Sequence, residues 1–334
     1  MIAFFTDAFC FLRTLTLAKI GNILKINLSY WVSILFRQVI LWGKPYSISI
    51  EPVNFCNLAC PECPAGNVKL TRTLQSIDNA TYEKILKEAS YLTYLMLYFQ
   101  GEPYLHRNLF GLIRMAFQRG IYTAISTNAQ LLNDDYAEKT VRSGLQRIII
   151  SMDGITQEAY EKYRHKGDLD KVLEGIQRIR EWRKELKSKT PYIVVQFIVF
   201  KTNQHQLNKV RSFALAAGAD KVEIKTAQLY DFEFGHPLMT DIKAYSRYKK
   251  GDDNRYVIKS RLSNRCFRLW NGCVITVSGD VVPCCFDKDA DHVMGNVNEQ
   301  SFHNIWKGRK YFEFRKMILA NRKKCNICNN CTET

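Results

Sequence analysis

The stretch Cys56-Asn57-Leu58-Ala59-Cys60-Pro61-Glu62-Cys63 decides how this chain is read. It sets three thiols on one loop, with three and then two residues between them, just past a short β-branched run at 46–50. Spacing this tight suits converging metal ligands better than disulfides, which belong mainly to small secreted domains. Three thiolates on one loop can bind three irons of a cubane cluster and leave the fourth iron open. A substrate or cosubstrate can chelate that iron, much as catalytic zinc sites keep one position free. A zinc site with its fourth ligand elsewhere is the competing reading.

Outward from this loop the pattern alternates. Runs rich in β-branched and aromatic residues at 46–50, 94–99, 121–126, 147–152, 192–200 and 221–225 read as strands. Helical periodicity fills 79–90, 107–119, 134–143, 169–187 and 204–217. Asp78 stands where an N-cap belongs, and Gly120, Gly144 and Gly218 where helices should stop. Strands separated by helices of this length indicate an α/β fold with parallel strands and right-handed crossovers. Six such units make an incomplete barrel or a curved open sheet, with function expected at the carboxyl ends of the strands. Residues 231–265 are polar and mixed, and read as a linker or lid. From Cys266 a hairpin signal around Gly279-Asp280 precedes a helix expected over 301–319.

The 334 residues are 46% apolar and 24% charged, with 8 Pro and 17 Gly, which excludes disordered, collagenous and low-complexity classes. Lys and Arg outnumber Asp and Glu by 48 to 32, a formal charge of +16 that favours polyanions, anionic membranes or acidic substrates. The 11 cysteines fall into clumps at 56–63, 266–285 and 325–331, with Cys10 alone. No cleavable signal peptide is evident, and no apolar run reaches the roughly 18 residues a membrane span needs. A reducing, cytoplasmic protein is expected. Residues 1–44 form a basic extension in which Ile23, Leu24, Leu28, Trp31, Leu35 and Phe36 recur at helical spacing. That stripe either packs on the main domain or lies on an anionic membrane, at its inner face.

With the motifs downstream, the Cys56, Cys60 and Cys63 loop resembles that of the radical S-adenosylmethionine (SAM) superfamily, and the resemblance spans most of 46–334. Gln100-Gly101-Glu102-Pro103 closes the second strand and looks like the family's Gly-Gly-Glu-Pro segment, which holds the SAM amino group. Gln100 stands in place of the first Gly. Ser126-Thr127-Asn128 ends the third strand, where similar enzymes place groups near the SAM ribose. Ser151-Met152-Asp153-Gly154 ends the fourth, and by resemblance Ser151 and Arg164 contact the SAM carboxylate, which the planar arginine fork suits. Glu62 departs from the pattern, since many relatives carry an aromatic residue there beside SAM.

The C-terminal cysteines resemble the SPASM and shorter Twitch extensions of these enzymes, which carry auxiliary [4Fe–4S] clusters. Cys266 and Cys284 have 17 residues between them, Gly279 precedes Cys284 by five, and Cys325 and Cys328 form a two-spaced pair. The resemblance implies one auxiliary cluster on Cys266, Cys284, Cys325 and Cys328, with Cys273, Cys285 and Cys331 as substitutes. A four-thiolate zinc knuckle is the alternative.

The implied architecture is a partial (βα)6 TIM-like barrel at 45–230, after the extension at 1–44. A linker or lid at 231–265 leads to a small cysteine-rich SPASM/Twitch domain at 266–334. The implied activity is reductive cleavage of SAM to a 5′-deoxyadenosyl radical, which abstracts hydrogen from a peptide, lipid or small-molecule substrate. Oxidation or cross-linking would follow, with a flavodoxin or ferredoxin-type protein as electron donor. Gln196, Glu223 and Lys225, on late strands, are candidate proton acceptors or simply solvated or salt-bridged strand residues. His106 reads as the start of a helix and His165 as a surface residue or part of the SAM pocket. RNA modification would suit the charge, but no stacking-aromatic sheet motif supports a nucleic-acid partner. A non-catalytic metal-binding scaffold is the remaining class.

Overall fold

The structure, a computed structural model, describes residues 2–67 and 69–332. Two helices, α1 (Ile2–Leu12) and α2 (Leu17–Phe36), precede β1 (Ser47–Ile50). Strand and helix then alternate through α3 (Asn79–Glu88), β2 (Tyr94–Met96), α4 (Leu109–Gln118), β3 (Tyr122–Thr127) and α5 (Asp134–Arg142). Next come β4 (Arg147–Ser151), α6 (Gln157–Glu161), α7 (Leu169–Glu185), β5 (Tyr192–Val199), α8 (Leu207–Ala217) and β6 (Lys221–Thr226). A short hairpin of β7 (Tyr248–Lys250) and β8 (Tyr256–Ile258) lies where the sequence suggests only a linker or lid. The chain ends through α9 (Arg268–Asn271), β9 (Gly272–Ile275), β10 (Asp280–Val282), β11 (Gly295–Asn296), α10 (Phe302–Lys307) and α11 (Arg309–Asn321). The fold class is thus α/β with mostly parallel strands, as the alternation requires.

Two compact units make up the chain. The first comprises Met1–Cys10, Cys56–Lys69 and Ala124–Lys259. In it β3, from Ala124 onward, pairs in parallel with β4, β4 with β5, and β5 with β6. Ile148, Ile150, Val195 and Phe197 are fully buried on these strands. Each such side chain contributes about 1.5–3 kcal/mol by leaving water. The register aligns Ser151 with Gln196 and Gln196 with Glu223, one residue per strand in a single row.

The second unit comprises Phe11–Phe55, Leu70–Thr123 and Ser260–Thr334. Here β1 pairs in parallel with β2 on one side and with β9 on the other. β9, β10 and β11 then form an antiparallel ladder. The hairpin expected at Gly279-Asp280 is the turn between β9 and β10. Asp78 caps α3, its side chain accepting from Thr81 N at 2.8 Å. The helix expected over 301–319 is two helices, because Gly308 takes an extended ψ of 163° and parts them.

α2 turns a polar face inward. Lys19, Asn22, Ser29 and Ser33 are buried with Ile26 and Tyr30, and Tyr30 packs edge-on against Phe267 and Trp270. The apolar stripe therefore does not pack on the rest of its unit: Leu24, Leu28, Trp31, Leu35 and Phe36 are all exposed.

Candidate functional site

The thiol loop of the first unit is held by donors that face its sulfur atoms. Leu58 N donates to Cys56 Sγ at 3.4 Å, and Asn128 Nδ2 approaches the same sulfur at 3.6 Å. Asn128 reaches it from the end of β3 and also donates to Asn57 Oδ1 at 2.8 Å. Arg164 Nη1 points to Cys60 Sγ at 3.7 Å. The loop is also tied by its backbone, with Ala59 N donating to His165 O at 3.2 Å. Leu58 and Cys60 are buried with Tyr163, Phe200, Met239 and Tyr248, and Cys56 and Cys63 pack against that cluster. Burial pushes the Cys60 thiol up, and the Arg164 guanidinium pulls it back toward ionisation. N–H donors around buried and half-buried thiols suit the thiolate ligands of a cluster. The residues fit the group.

Arg164 is itself oriented by Asp153, which is fully buried just past β4. Arg164 Nε donates to Asp153 Oδ2 at 2.7 Å, and Nη2 lies 2.6 Å from the same oxygen. Asp153 Oδ1 accepts from Ile198 N at 2.7 Å. In the structure the guanidinium therefore bridges Asp153 and Cys60. Nothing in the sequence pattern singled out Asp153 for this role. Glu62 accepts from Tyr230 N at 2.8 Å and lies 3.4 Å from His236 Nε2. Ser126 ends β3, and Ser151, buried, ends β4 in the same row as Gln196 and Glu223. Glu223 stands between Lys221 at 2.6 Å and Lys225 at 2.9 Å. Burial opposes its ionisation, but the hydrogen bonds from the two lysines prevail and hold the carboxyl below its usual range. That is the geometry of an ion-paired strand residue.

In the second unit Gln100, Gly101, Glu102 and Pro103 follow β2 and fold against the chain that leaves β1. Gly101 has φ +73°, and a Cβ there would lie 2.5 Å from Val53 O and 2.6 Å from Phe55 O. Only glycine fits both the left-handed backbone and this approach. Glu102 N donates to Phe55 O at 3.0 Å, and Gln100, Glu102 and Pro103 are buried. Beside them lies a pair the sequence did not reveal: Glu51, fully buried, accepts from Arg72 Nη1 at 2.7 Å and Nη2 at 2.8 Å. Burial pushes the Glu51 carboxyl above its usual range, and Arg72 offsets this only in part. His106 is buried, with Nε2 3.0 Å from Ile77 O and Nδ1 accepting from Asn108 N, a structural role at the head of α4.

The C-terminal thiols gather in the same unit. Cys266, Cys284, Cys328 and Cys331 line one small closed space with Leu269, Phe286, Phe314 and Arg322. Cys325 is hydrogen-bonded to Cys328, and that bond, with help from Arg322, favours the Cys328 thiolate. Arg322 Nη2 lies 3.1 Å from Cys331 Sγ. Cys273 stands apart, buried near the Arg315 guanidinium and the neutral Tyr311 phenol, and Cys285 is exposed. Five thiols, a guanidinium and apolar walls fit an iron–sulfur cluster. Among the described residues no three His, Cys, Asp or Glu side chains converge tightly enough for one metal ion. A cavity of about 440 Å³ opens beside Cys266, Cys273, Cys284 and Cys285, lined also by Ser47, Ser49, Tyr98, Arg265 and Arg268.

The family model of the radical SAM superfamily matches residues 50–196, and that of the iron–sulfur cluster-binding domain SPASM matches residues 266–332. The PqqA peptide cyclase of Bradyrhizobium diazoefficiens is 24% identical over 86% of this chain and 79% of its own. The S-adenosyl-L-methionine-dependent 2-deoxy-scyllo-inosamine dehydrogenase of Niallia circulans is 26% identical over 85% of this chain and 91% of its own. In fold the chain resembles Streptococcus suis SuiB bound to S-adenosylmethionine, with a TM-score of 0.65, 15% identity, and coverage of 87% of this chain and 73% of that one. The chain belongs to the radical SAM superfamily and carries a C-terminal SPASM domain, so it is an enzyme that uses SAM and [4Fe–4S] clusters.

Proposed function

We propose that Cys56, Cys60 and Cys63 hold the SAM-chelating [4Fe–4S] cluster, and that the donors facing their sulfurs carry this reading. Asn128, Leu58 N and Arg164 supply hydrogen bonds to the thiolates. Gln100, Gly101, Glu102 and Pro103 would receive the SAM amino group, Ser126 and Asn128 its ribose, and Ser151 and Arg164 its carboxylate. With SAM bound and one electron from a flavodoxin or ferredoxin-type donor, such a cluster would supply the reduction that breaks the sulfonium C–S bond into methionine and a 5′-deoxyadenosyl radical. That radical would take a hydrogen atom from a substrate carbon and leave as 5′-deoxyadenosine. Cys266, Cys284, Cys325 and Cys328 would hold one auxiliary cluster, with Cys331 as the fifth thiol at hand. The functional division is 45–230 for the SAM core, 231–265 for the lid and 266–334 for the auxiliary domain.

The substrate would enter the cavity lined by Arg265, Arg268, Ser49 and Tyr98. Its volume suits a small molecule or a short peptide segment. Its guanidinium groups favour a substrate carrying an anionic or hydroxyl group beside the reacting carbon. Oxidation or cross-linking of such a substrate fits relatives named as a peptide cyclase and a dehydrogenase. A cytoplasmic location completes the reading.

Purification without oxygen tests it. About eight irons per chain are expected, four for each cluster. Chemical reduction in the presence of SAM should yield methionine and 5′-deoxyadenosine without added substrate. The Cys60→Ala variant should lose this reaction. Cleavage at the parental rate in that variant would overturn the assignment.

A further inference from the structure

α2 is an amphipathic helix whose faces are reversed. Its inward face is fixed by polar contacts. Lys19 Nζ donates to Gly120 O at 2.7 Å and Thr14 O at 3.1 Å. Asn22 exchanges two 2.9 Å hydrogen bonds with the backbone of Lys44. Ser33 Oγ donates to Ser29 O at 2.6 Å and accepts from Ile40 N at 3.0 Å. These partners set which face of the helix looks inward. Its outward face carries Leu17 (89% exposed), Ile20 (40%), Leu24 (64%), Leu28 (57%), Trp31 (59%) and Leu35 (75%). At 3.6 residues per turn and 1.5 Å per residue, the six fall within about 80° of arc along about 27 Å. A contiguous apolar patch of this kind marks an interaction surface.

Charge selects the occupant. Between Asp7 and Glu51 the sequence has no acidic residue, but it has Arg13, Lys19, Lys25, Arg37 and Lys44. Arg13, Lys25 and Arg37 are exposed. A second copy of the chain would bring like charges together along the stripe, whereas an anionic surface meets them with opposite charge. No helix among the described residues is long and apolar enough to cross a membrane. A helix with one apolar face and basic flanks instead lies in the plane of the interface. We propose that α2 docks this enzyme on an anionic phospholipid surface. The Leu17–Leu35 stripe enters the boundary between headgroups and acyl chains, and Arg13, Lys25 and Arg37 supply the charge.

Co-sedimentation of the full-length, cluster-loaded enzyme tests this. The probes are vesicles of phosphatidylcholine mixed with phosphatidylglycerol, and of phosphatidylcholine alone. Binding to the mixed vesicles is expected at low salt, with the charge-dependent part fading as salt shortens the Debye length. Changing Arg13, Lys25 and Arg37 together to Gln should weaken low-salt binding by about a hundredfold, roughly fivefold for each charge. Changing Leu24, Leu28 and Leu35 together to Gln should abolish binding at every salt concentration. The melting temperature and SAM cleavage should stay at parental levels, since these side chains are exposed. A folded parent that ignores the mixed vesicles overturns the proposal, as does a leucine variant that binds like the parent. A parent that sediments as a dimer, becomes a monomer in the leucine variant and ignores vesicles assigns the stripe to a second copy.

Discussion

Arg72 and Glu51 show how much a single residue can carry. Removing the arginine leaves a fully buried carboxylate with only backbone donors, Val277 N at 3.1 Å and Gln100 N. Breaking one side of a buried pair costs about 3–5 kcal/mol. The sign of the pH dependence follows from the raised carboxyl. Its folded pKa lies above the unfolded value of about 4.3, so the folded state holds more protons. Stability from such a group is fully present below the unfolded pKa and is lost as pH rises through the folded one. Arg72→Met lifts the folded pKa further, because the group that favours ionisation is gone. The variant's deficit in urea unfolding should therefore be large near neutral pH and shrink as pH falls toward about 5. A deficit independent of pH would mean that Glu51 stays ionised without its partner. At this scale the thiols of the first loop were legible because their spacing is local. Glu51 with Arg72, and Asp153 with Arg164, were not, because each pair is joined by a fold of the chain that spacing does not encode.

Among elements, the strands and most helices followed from period and punctuation. β1 and β3 to β6 lie within two residues of where the apolar runs put them. β2 is shorter than its run, ending at Met96, because the chain leaves the ladder there on its way to the turn at Gly101. What periodicity could not supply was direction. It found the stripe on α2 but not which face looks inward, since the buried polar atoms find partners at Gly120, Lys44 and Ile40. Nor could it find the parallel pairing of β1 with β9, which lies over 200 residues away. The turn after β2 makes a testable element. Gly101→Ala places a methyl 2.5 Å from Val53 O on a left-handed backbone. Crowding of this kind costs about 1–3 kcal/mol, and the backbone strain adds about 1–2. Chemical denaturation should report that loss, and equilibrium binding should show weaker affinity for SAM because Gln100 and Glu102 move with the turn. Asp78→Ala, which removes only the cap of α3, should cost about 1 kcal/mol and leave SAM affinity unchanged.

Across the whole molecule the decisive question is how two thiol sets divide the chemistry. Five C-terminal thiols gather where a [4Fe–4S] cluster needs four, and two others stand aside. Cys273→Ser and Cys285→Ser should leave the iron content unchanged, since one thiol has Tyr311 and Arg315 for neighbours and the other faces solvent. Cys284→Ala combined with Cys328→Ala should remove about four irons per chain, one cluster's worth. SAM cleavage without substrate should survive in that double variant, because under the proposed assignment it would depend on Cys56, Cys60 and Cys63. Substrate turnover should be lost, because the auxiliary cluster is expected to bind the substrate or accept its electron. Cys325→Ser and Cys331→Ser, made singly, then identify the fourth ligand, as only the true one should cost iron. The Arg322 contact to Cys331 gives that thiol a further role when Cys325 is the ligand: its hydrogen-bonded sulfur would tune the potential of the neighbouring cluster without binding it. In that case Cys331→Ser should shift the auxiliary reduction potential while the iron count holds. Zinc in place of iron in the tail would make the C-terminal thiols structural, and turnover would then have to depend on the first cluster alone.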